Sequence, residues 1–232
     1  MSIYSILLLS TIFVPILLSF DKNLQFYKKL RYVIPSILII ALFYIIIDIY
    51  FTSMGVWGFN PMYHSRIMFI NLPIEELLFF IFIPYSSLFI HYSLVLYFPG
   101  LKLGNFTSRI VTLIILIFSS LIFFFNIHKM YTVYVCILII IAMILSIISR
   151  SKTINRFYLT FLIILIPFLL VNGILTGSFL NKVVVWYNDK QNLGIRLLTI
   201  PVEDFGYAFC LILFNLILIK KIKGDEVIQG IG

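Results

Sequence analysis

Leu72-Pro73-Ile74-Glu75-Glu76-Leu77-Leu78-Phe79-Phe80 sets two adjacent carboxylates at the head of a run that otherwise reads as membrane helix. Proline with acids in the first turn is an ordinary way to begin a helix, and Glu75 could also bond back to the cap. The chain then says nearly the same thing again, as Ile200-Pro201-Val202-Glu203-Asp204-Phe205-Gly206-Tyr207. Pro73, Glu75, Glu76 and Phe79 match Pro201, Glu203, Asp204 and Tyr207 at one fixed offset. Acids beside hydrocarbon are costly and are functional candidates by default. A helix start accounts for one copy; two copies in one register favour a catalytic site.

The surroundings of both motifs are apolar. Of 232 residues, 62% are hydrophobic and 11% charged, whereas a soluble domain is about 45–50% apolar. Seven stretches are long enough to cross a hydrocarbon core, which takes about 20 helical residues. They fall near 2–20, 32–50, 74–98, 110–126, 131–149, 157–175 and 200–219. The first lacks a basic start and a small-residue cleavage site, so it reads as a retained helix rather than a signal peptide. The expected fold is an all-α integral membrane protein with seven transmembrane helices.

Outward from the acidic motifs, more of the chain recurs. Asp48 and Thr52 share their spacing with Asn172 and Thr176, and Val56-Trp57-Gly58-Phe59-Asn60 is echoed by Val184-Val185-Trp186-Tyr187-Asn188. Spans one to three and five to seven are therefore copies, with span four linking them. The corresponding units are 1–100, 101–130 and 131–232. A shift of four spans keeps the orientation, so the copies are parallel repeats about an axis along the membrane normal. Both acidic motifs must then lie at one depth, near the outer end of the bundle, where they can face a shared pocket. The tail after Lys220 is polar and is expected to fray.

The net charge of +8 reflects membrane orientation rather than nucleic-acid binding. Lys22, Lys28, Lys29, Arg31, Lys102, Arg109, Arg150, Lys152, Arg156, Lys220, Lys221 and Lys223 share one side of a seven-span arrangement. Arg66, Lys129, Lys182, Lys190 and Arg196 share the other. The positive-inside rule puts the amino terminus outside and the carboxyl terminus in the cytoplasm of a multi-pass cell-membrane protein. Cys136 and Cys210 fall inside spans without a CxxC partner or a nearby His, so neither a metal site nor a disulfide is expected.

Several chemistries are excluded by what is missing. There is no aspartate-rich cluster to grip Mg²⁺–diphosphate, no Gly-rich dinucleotide fingerprint, and no HExxH or GxSxG motif. Span seven has no lysine before Lys220 for a retinal Schiff base. What remains is carboxylates, aromatics and a greasy interior. A carboxyl tuned by burial and a neighbouring carboxylate can act as general acid and its conjugate base can take a proton back. Aromatic faces stabilise a carbocation by roughly 0.5–2 kcal/mol each, and a dry site protects it from water. This inventory suits proton-initiated cyclisation or isomerisation of a membrane-soluble polyene, with no cofactor.

GVWGFN…NLPIEELLFF in the first half and VVWYN…GIR…IPVEDFGY in the second resemble the lycopene cyclases of the small polytopic membrane type. The resemblance covers nearly the whole chain. In that family the two halves occur as separate subunits or fused. It implies an isomerase (an intramolecular lyase) of carotenoid biosynthesis that closes the ψ-ends of lycopene to β-rings, giving γ-carotene and β-carotene. A protonated acid from Glu75/Glu76 or Glu203/Asp204 is expected to protonate C2, the C5=C6 alkene to attack the C1 cation, and a carboxylate to remove the C6 proton. Removal from C4 would give an ε-ring instead. The implied partners are the carotenoid, membrane lipid, and further copies or other carotenoid enzymes.

Phe79, Tyr207, Trp57, Trp186 and Tyr187 are candidates for the cation-stabilising wall, and Arg196 or Arg66 for holding one acid of a pair ionised. Simpler roles compete. Asp48, Asn60 and Asn188 are further substrate-binding candidates, yet Asp48 and Asn172 can cap or bridge helices, Trp57 and Trp186 can anchor at the interface, and Asn60 and Asn188 can build turns. The competing function is a proton-coupled transporter built from parallel repeats. It would want polar residues along the inner halves of spans two, three, six and seven, which here are almost purely Ile, Leu and Phe.

Overall fold

The computed structural model describes residues 2–148 and 153–229. Among these, seven helices run as α1 (Ile3–Leu18), α2 (Leu30–Ser53), α3 (Ile74–Tyr97), α4 (Asn105–Phe125), α5 (Met130–Ile148), α6 (Thr153–Leu175) and α7 (Val202–Gln229). Six are long and apolar enough to cross a membrane. The exception is α1, whose 16 residues rise only about 24 Å at 1.5 Å per residue. Its start is fixed by Ser2, which accepts from the Ser5 N–H as an N-cap. Arg150 and Lys152, counted among the basic residues, lie outside the described residues.

Helices outrun the apolar stretches that predict them. Helix α4 begins at Asn105, and α7 continues to Gln229 instead of fraying after Lys220. No proline interrupts that extension, and a lone interior Gly such as Gly224 costs only about 1 kcal/mol. Pro73 is not the first residue of α3; at φ −66°, ψ 149° it is extended and caps the helix.

Packing follows membrane rules rather than those of a soluble core. Helix α4 turns Leu113, Ile114, Phe118, Leu121 and Phe124 outward and buries Ser108, Thr112 and Ser119, because small side chains let backbones approach where lipid already satisfies the large ones. Within each repeat the first helix packs on the third, α1 on α3 and α5 on α7. Between repeats α2 packs on α7 and α3 on α6. Polar residues staple these crossings, Ser36 on α2 and Thr160 on α6 occupying corresponding positions. Ser36 Oγ donates to Asn215 Oδ1 at 2.9 Å, and Thr160 Oγ1 meets His91 Nδ1 at 2.7 Å.

Short strands close the acidic end. β1 (Trp57–Phe59) pairs antiparallel with β4 (Val185–Tyr187), its counterpart from the other repeat. The register sets Gly58 opposite Trp186, with Trp57 opposite Tyr187 and Phe59 opposite Val185. Antiparallel pairing of two corresponding strands is what an approximate two-fold axis through Gly58 and Trp186 produces. The flanking bonds obey it. Asn60 N donates to Val184 O at 2.8 Å and Asn188 N to Val56 O at 2.9 Å. Tyr4 N donates to Tyr63 O at 3.1 Å and Tyr131 N to Gln191 O at 2.9 Å.

Two hairpins lead into the acidic helices. β2 (Met68–Phe69) pairs with β3 (Leu72–Pro73), and β5 (Arg196–Leu197) with β6 (Ile200–Pro201). Their tips hold Ile70 at φ 59° and Leu198 at φ 57°, matched positions in a region that side-chain-bearing residues seldom enter. The hairpins deliver Glu75 and Glu203 into equivalent first turns of α3 and α7.

Candidate active site

The second acid of each motif points inward. Glu76 and Asp204 line one cavity of about 70 Å³ together with Asp48 from the last turns of α2. All three carboxyls are buried, and Glu76 lies within electrostatic reach of both Asp48 and Asp204. The gathering follows from the duplication. Equivalent first turns bring Glu76 and Asp204 to equivalent depth, and the packing of α2 on α7 brings Asp48 to them.

Each carboxyl is held differently. Tyr4 Oη donates to Glu76 Oε2 at 2.5 Å, and its counterpart Tyr131 Oη to Asp204 Oδ1 at 2.5 Å. Asp204 Oδ2 also accepts from Asn172 Nδ2 at 2.7 Å and Tyr187 Oη at 3.0 Å. Asp48 Oδ1 accepts from Trp57 Nε1 at 2.5 Å and Thr52 Oγ1 at 3.3 Å, while Asp48 Oδ2 has no hydrogen-bond partner. Three donors therefore occupy both oxygens of Asp204, and Asp48 keeps one oxygen uncommitted.

The first acid of each motif points elsewhere. Glu75 Oε1 accepts from Ser2 Oγ at 2.7 Å, Ser5 Oγ at 2.8 Å and Ser65 N at 2.7 Å. Glu203 Oε1 accepts from Thr132 Oγ1 at 2.7 Å and Leu193 N at 2.7 Å. Neither lines the cavity. They tie the preceding loop and the first helix of each repeat to the start of the third.

The aromatic residues separate into two groups. Trp57, Phe79, Tyr187 and Tyr207 line the cavity. Tyr131 stacks on Tyr187 with centroids 5.8 Å apart and meets Trp57 edge-on at 5.1 Å. Trp186 instead lies on the outside, 43% exposed. Asn60 and Asn188 build turns and stitch the repeats together, their Nδ2 atoms donating to Val183 O at 3.2 Å and Gly55 O at 3.3 Å. Arg196 pairs with Asp189 at 2.6 Å, and that bond holds the Asp189 carboxyl below its usual range. Arg196 thus does not serve either acid of its motif; the donors that hold those acids are three hydroxyls, the Asn172 amide and the Leu193 backbone N–H. Arg66 lines an outer groove and not the carboxyl cavity.

Tyr4 and Tyr131 are the residues that the reading of the sequence missed. Both occupy the first turn of the first helix of a repeat, as Tyr4-Ser5 and Tyr131-Thr132. Aligning the opening helices as well as the acidic motifs would have found them. Phe168 and Ile83 were unmarked because single apolar residues in an apolar helix carry no signal.

Three carboxyl groups and aromatic side chains line the chamber, and no lysine or arginine does so among the described residues. The lycopene cyclase family model matches residues 1–94 and 128–222, and the chain belongs to that family. The two matched segments fit a cyclase with both halves in one chain, the unmatched stretch between them spanning α4. Membership supports a lycopene cyclase function in general, and with it a carotenoid substrate. No curated protein and no solved structure matches the chain.

Proposed function

We propose that the protein closes the ψ-ends of lycopene to β-rings, and that Asp48, Glu76 and Asp204 are the groups that move the proton. The supporting observation is the convergence of these three carboxyls from α2, α3 and α7 on one aromatic-lined cavity. Roles follow from the hydrogen bonds. Asp204, accepting from three donors on both oxygens, is the base. Asp48, with Oδ2 uncommitted, or Glu76, with Tyr4 on one oxygen, carries the proton to be given.

The acid protonates C2 of the ψ-end and leaves a cation at C1. The C5=C6 π pair bonds to C1, forming the C1–C6 bond and moving the cation to C5. Asp204 removes the C6 proton, and those electrons restore a C5=C6 double bond. One proton enters and one leaves, so the reaction is an isomerisation without redox change. Loss of that proton from Asp204 to solvent, and reprotonation of the donating carboxyl from solvent, restore the starting state. Aromatic faces of Trp57, Phe79, Tyr187 and Tyr207 line the cavity in which the C1 and C5 cations would form, and its largely apolar walls limit capture of the cations by water.

Glu75 and Glu203 act in this scheme as positioning residues. The basic residues support a cell-membrane orientation with the amino terminus outside and the carboxyl terminus in the cytoplasm. The test is expression in cells that accumulate lycopene, followed by pigment analysis. Cyclised pigment is expected; lycopene persisting despite confirmed membrane insertion would remove the reading.

A further inference from the structure

The carboxyl cavity does not end at the acids. It adjoins a second, apolar cavity of about 260 Å³ that shares Phe79, Ile83, Phe168, Asn172, Ala208 and Ile212 with it. This extension runs between α1, α3, α6 and α7, and Val14 at its α1 wall is 52% exposed toward the bilayer.

The duplication predicts a matching passage on the opposite side, between α5, α7, α2 and α3. It is filled. Where the open side has Ala208, the corresponding residue is Phe80, and where it has Phe168, the corresponding residue is Tyr44. Tyr44 is 0% and Phe80 1% exposed, and the Tyr44 and Tyr207 rings meet edge-on at 4.9 Å. Gly206 tightens the same side, since a Cβ there would stand 2.8 Å from Val135 and Ile139. A symmetric gene doubling has therefore yielded one open and one sealed flank.

We propose that the polyene reaches the carboxyls only through the α1/α3/α6/α7 channel, with Ala208 setting its bore and Phe80 and Tyr44 sealing the counterpart. This deepens the cyclase reading and rests on it. One reactive end then occupies the acids while the rest of the chain trails through the channel into lipid. Closing both ends requires the half-closed product to leave and re-enter reversed.

The experiment uses the full-length protein with a cysteine at Val14, on the open flank, or at its counterpart Ile141 on α5, which is 44% exposed. The two native cysteines are buried. Alkylation by N-ethylmaleimide is followed with and without added lycopene. Lycopene is expected to slow modification at Val14→Cys at least several-fold and to leave Ile141→Cys unchanged. In parallel, Ala208→Phe should lower ring formation at least tenfold in membranes where Phe80→Leu keeps it. Equal protection at both cysteines, or at neither, in a protein that makes cyclised pigment overturns the channel alone. Unaltered cyclisation by Ala208→Phe does the same. A wild-type chain that makes no cyclised pigment removes the reaction, and this inference with it.

Discussion

Gly58 stands opposite Trp186 at the centre of the β1–β4 ribbon, so close that a Cβ on Gly58 would lie 2.4 Å from Trp186 Cζ2. The two residues occupy corresponding positions in the two repeats. Near a two-fold axis two large side chains would collide, and the chain resolves this with one glycine and one indole. Gly58→Val should therefore overpack the junction at a cost of about 1–3 kcal/mol. Thermal unfolding of the detergent-solubilised protein should show the drop, and adding Trp186→Ala should recover most of it. Absence of recovery would mean that the indole is not what Gly58 accommodates.

The hydroxyls of Tyr4 and Tyr131 offer a cleaner probe of the chamber, because removing one oxygen leaves the ring packing intact. A hydrogen bond to a charged group is worth about 1.5–3 kcal/mol. Tyr4→Phe and Tyr131→Phe should each slow ring closure roughly 10- to 150-fold while leaving protein level and oligomeric profile unchanged. Turnover measured in isolated membranes decides it; wild-type rates in both variants would reduce these hydroxyls to packing.

The two acids of each motif should behave differently. Asp48→Asn, Glu76→Gln and Asp204→Asn each remove a group proposed to move the proton and should lower turnover about 10²–10⁴-fold. Glu75→Gln and Glu203→Gln lie outside the cavity and should lower the yield of folded protein more than the rate per folded molecule. Rates normalised to folded protein check this, and a larger rate loss at Glu75 than at Glu76 would reverse the roles.

Cutting the chain in the loop between α3 and α4 should be tolerated. Helix α4 packs on α5, so residues 101–232 keep their own helix pairings. The carboxyls come from both pieces, Asp48 and Glu76 from one and Asp204 from the other. Residues 1–100 and 101–232 produced together should yield cyclised pigment, and neither should do so alone. Pigment made by one piece would show that the composite chamber is not needed.

Much of this architecture could be read from the sequence. Seven helices and paired acidic motifs follow from apolar run lengths and from the Glu75-Glu76 and Glu203-Asp204 register. Which acid of each pair faces inward could not be read, since adjacent residues on a helix diverge by about 100° and only packing decides. Asp48 reads as a cap or bridge because buried polar groups in membranes seek partners; the packing of α2 on α7 also sets it in the cavity beside Glu76 and Asp204. Trp186, paired by motif with the cavity aromatics, turns outward because it shares its crossing point with Gly58. Arg196 lies close in sequence to an acidic motif, yet Asp189 competes for it at the surface.

A carboxyl that gives its proton to the alkene must take its next proton from water. Membranes containing the protein, supplied with unlabelled lycopene in D₂O buffer, test it most directly by mass spectrometry of the pigment. A single deuterium retained per ring formed, carried at C2, is expected, with loss of ring formation together with the label in Asp48→Asn or Glu76→Gln. Rings formed in D₂O without deuterium would contradict it.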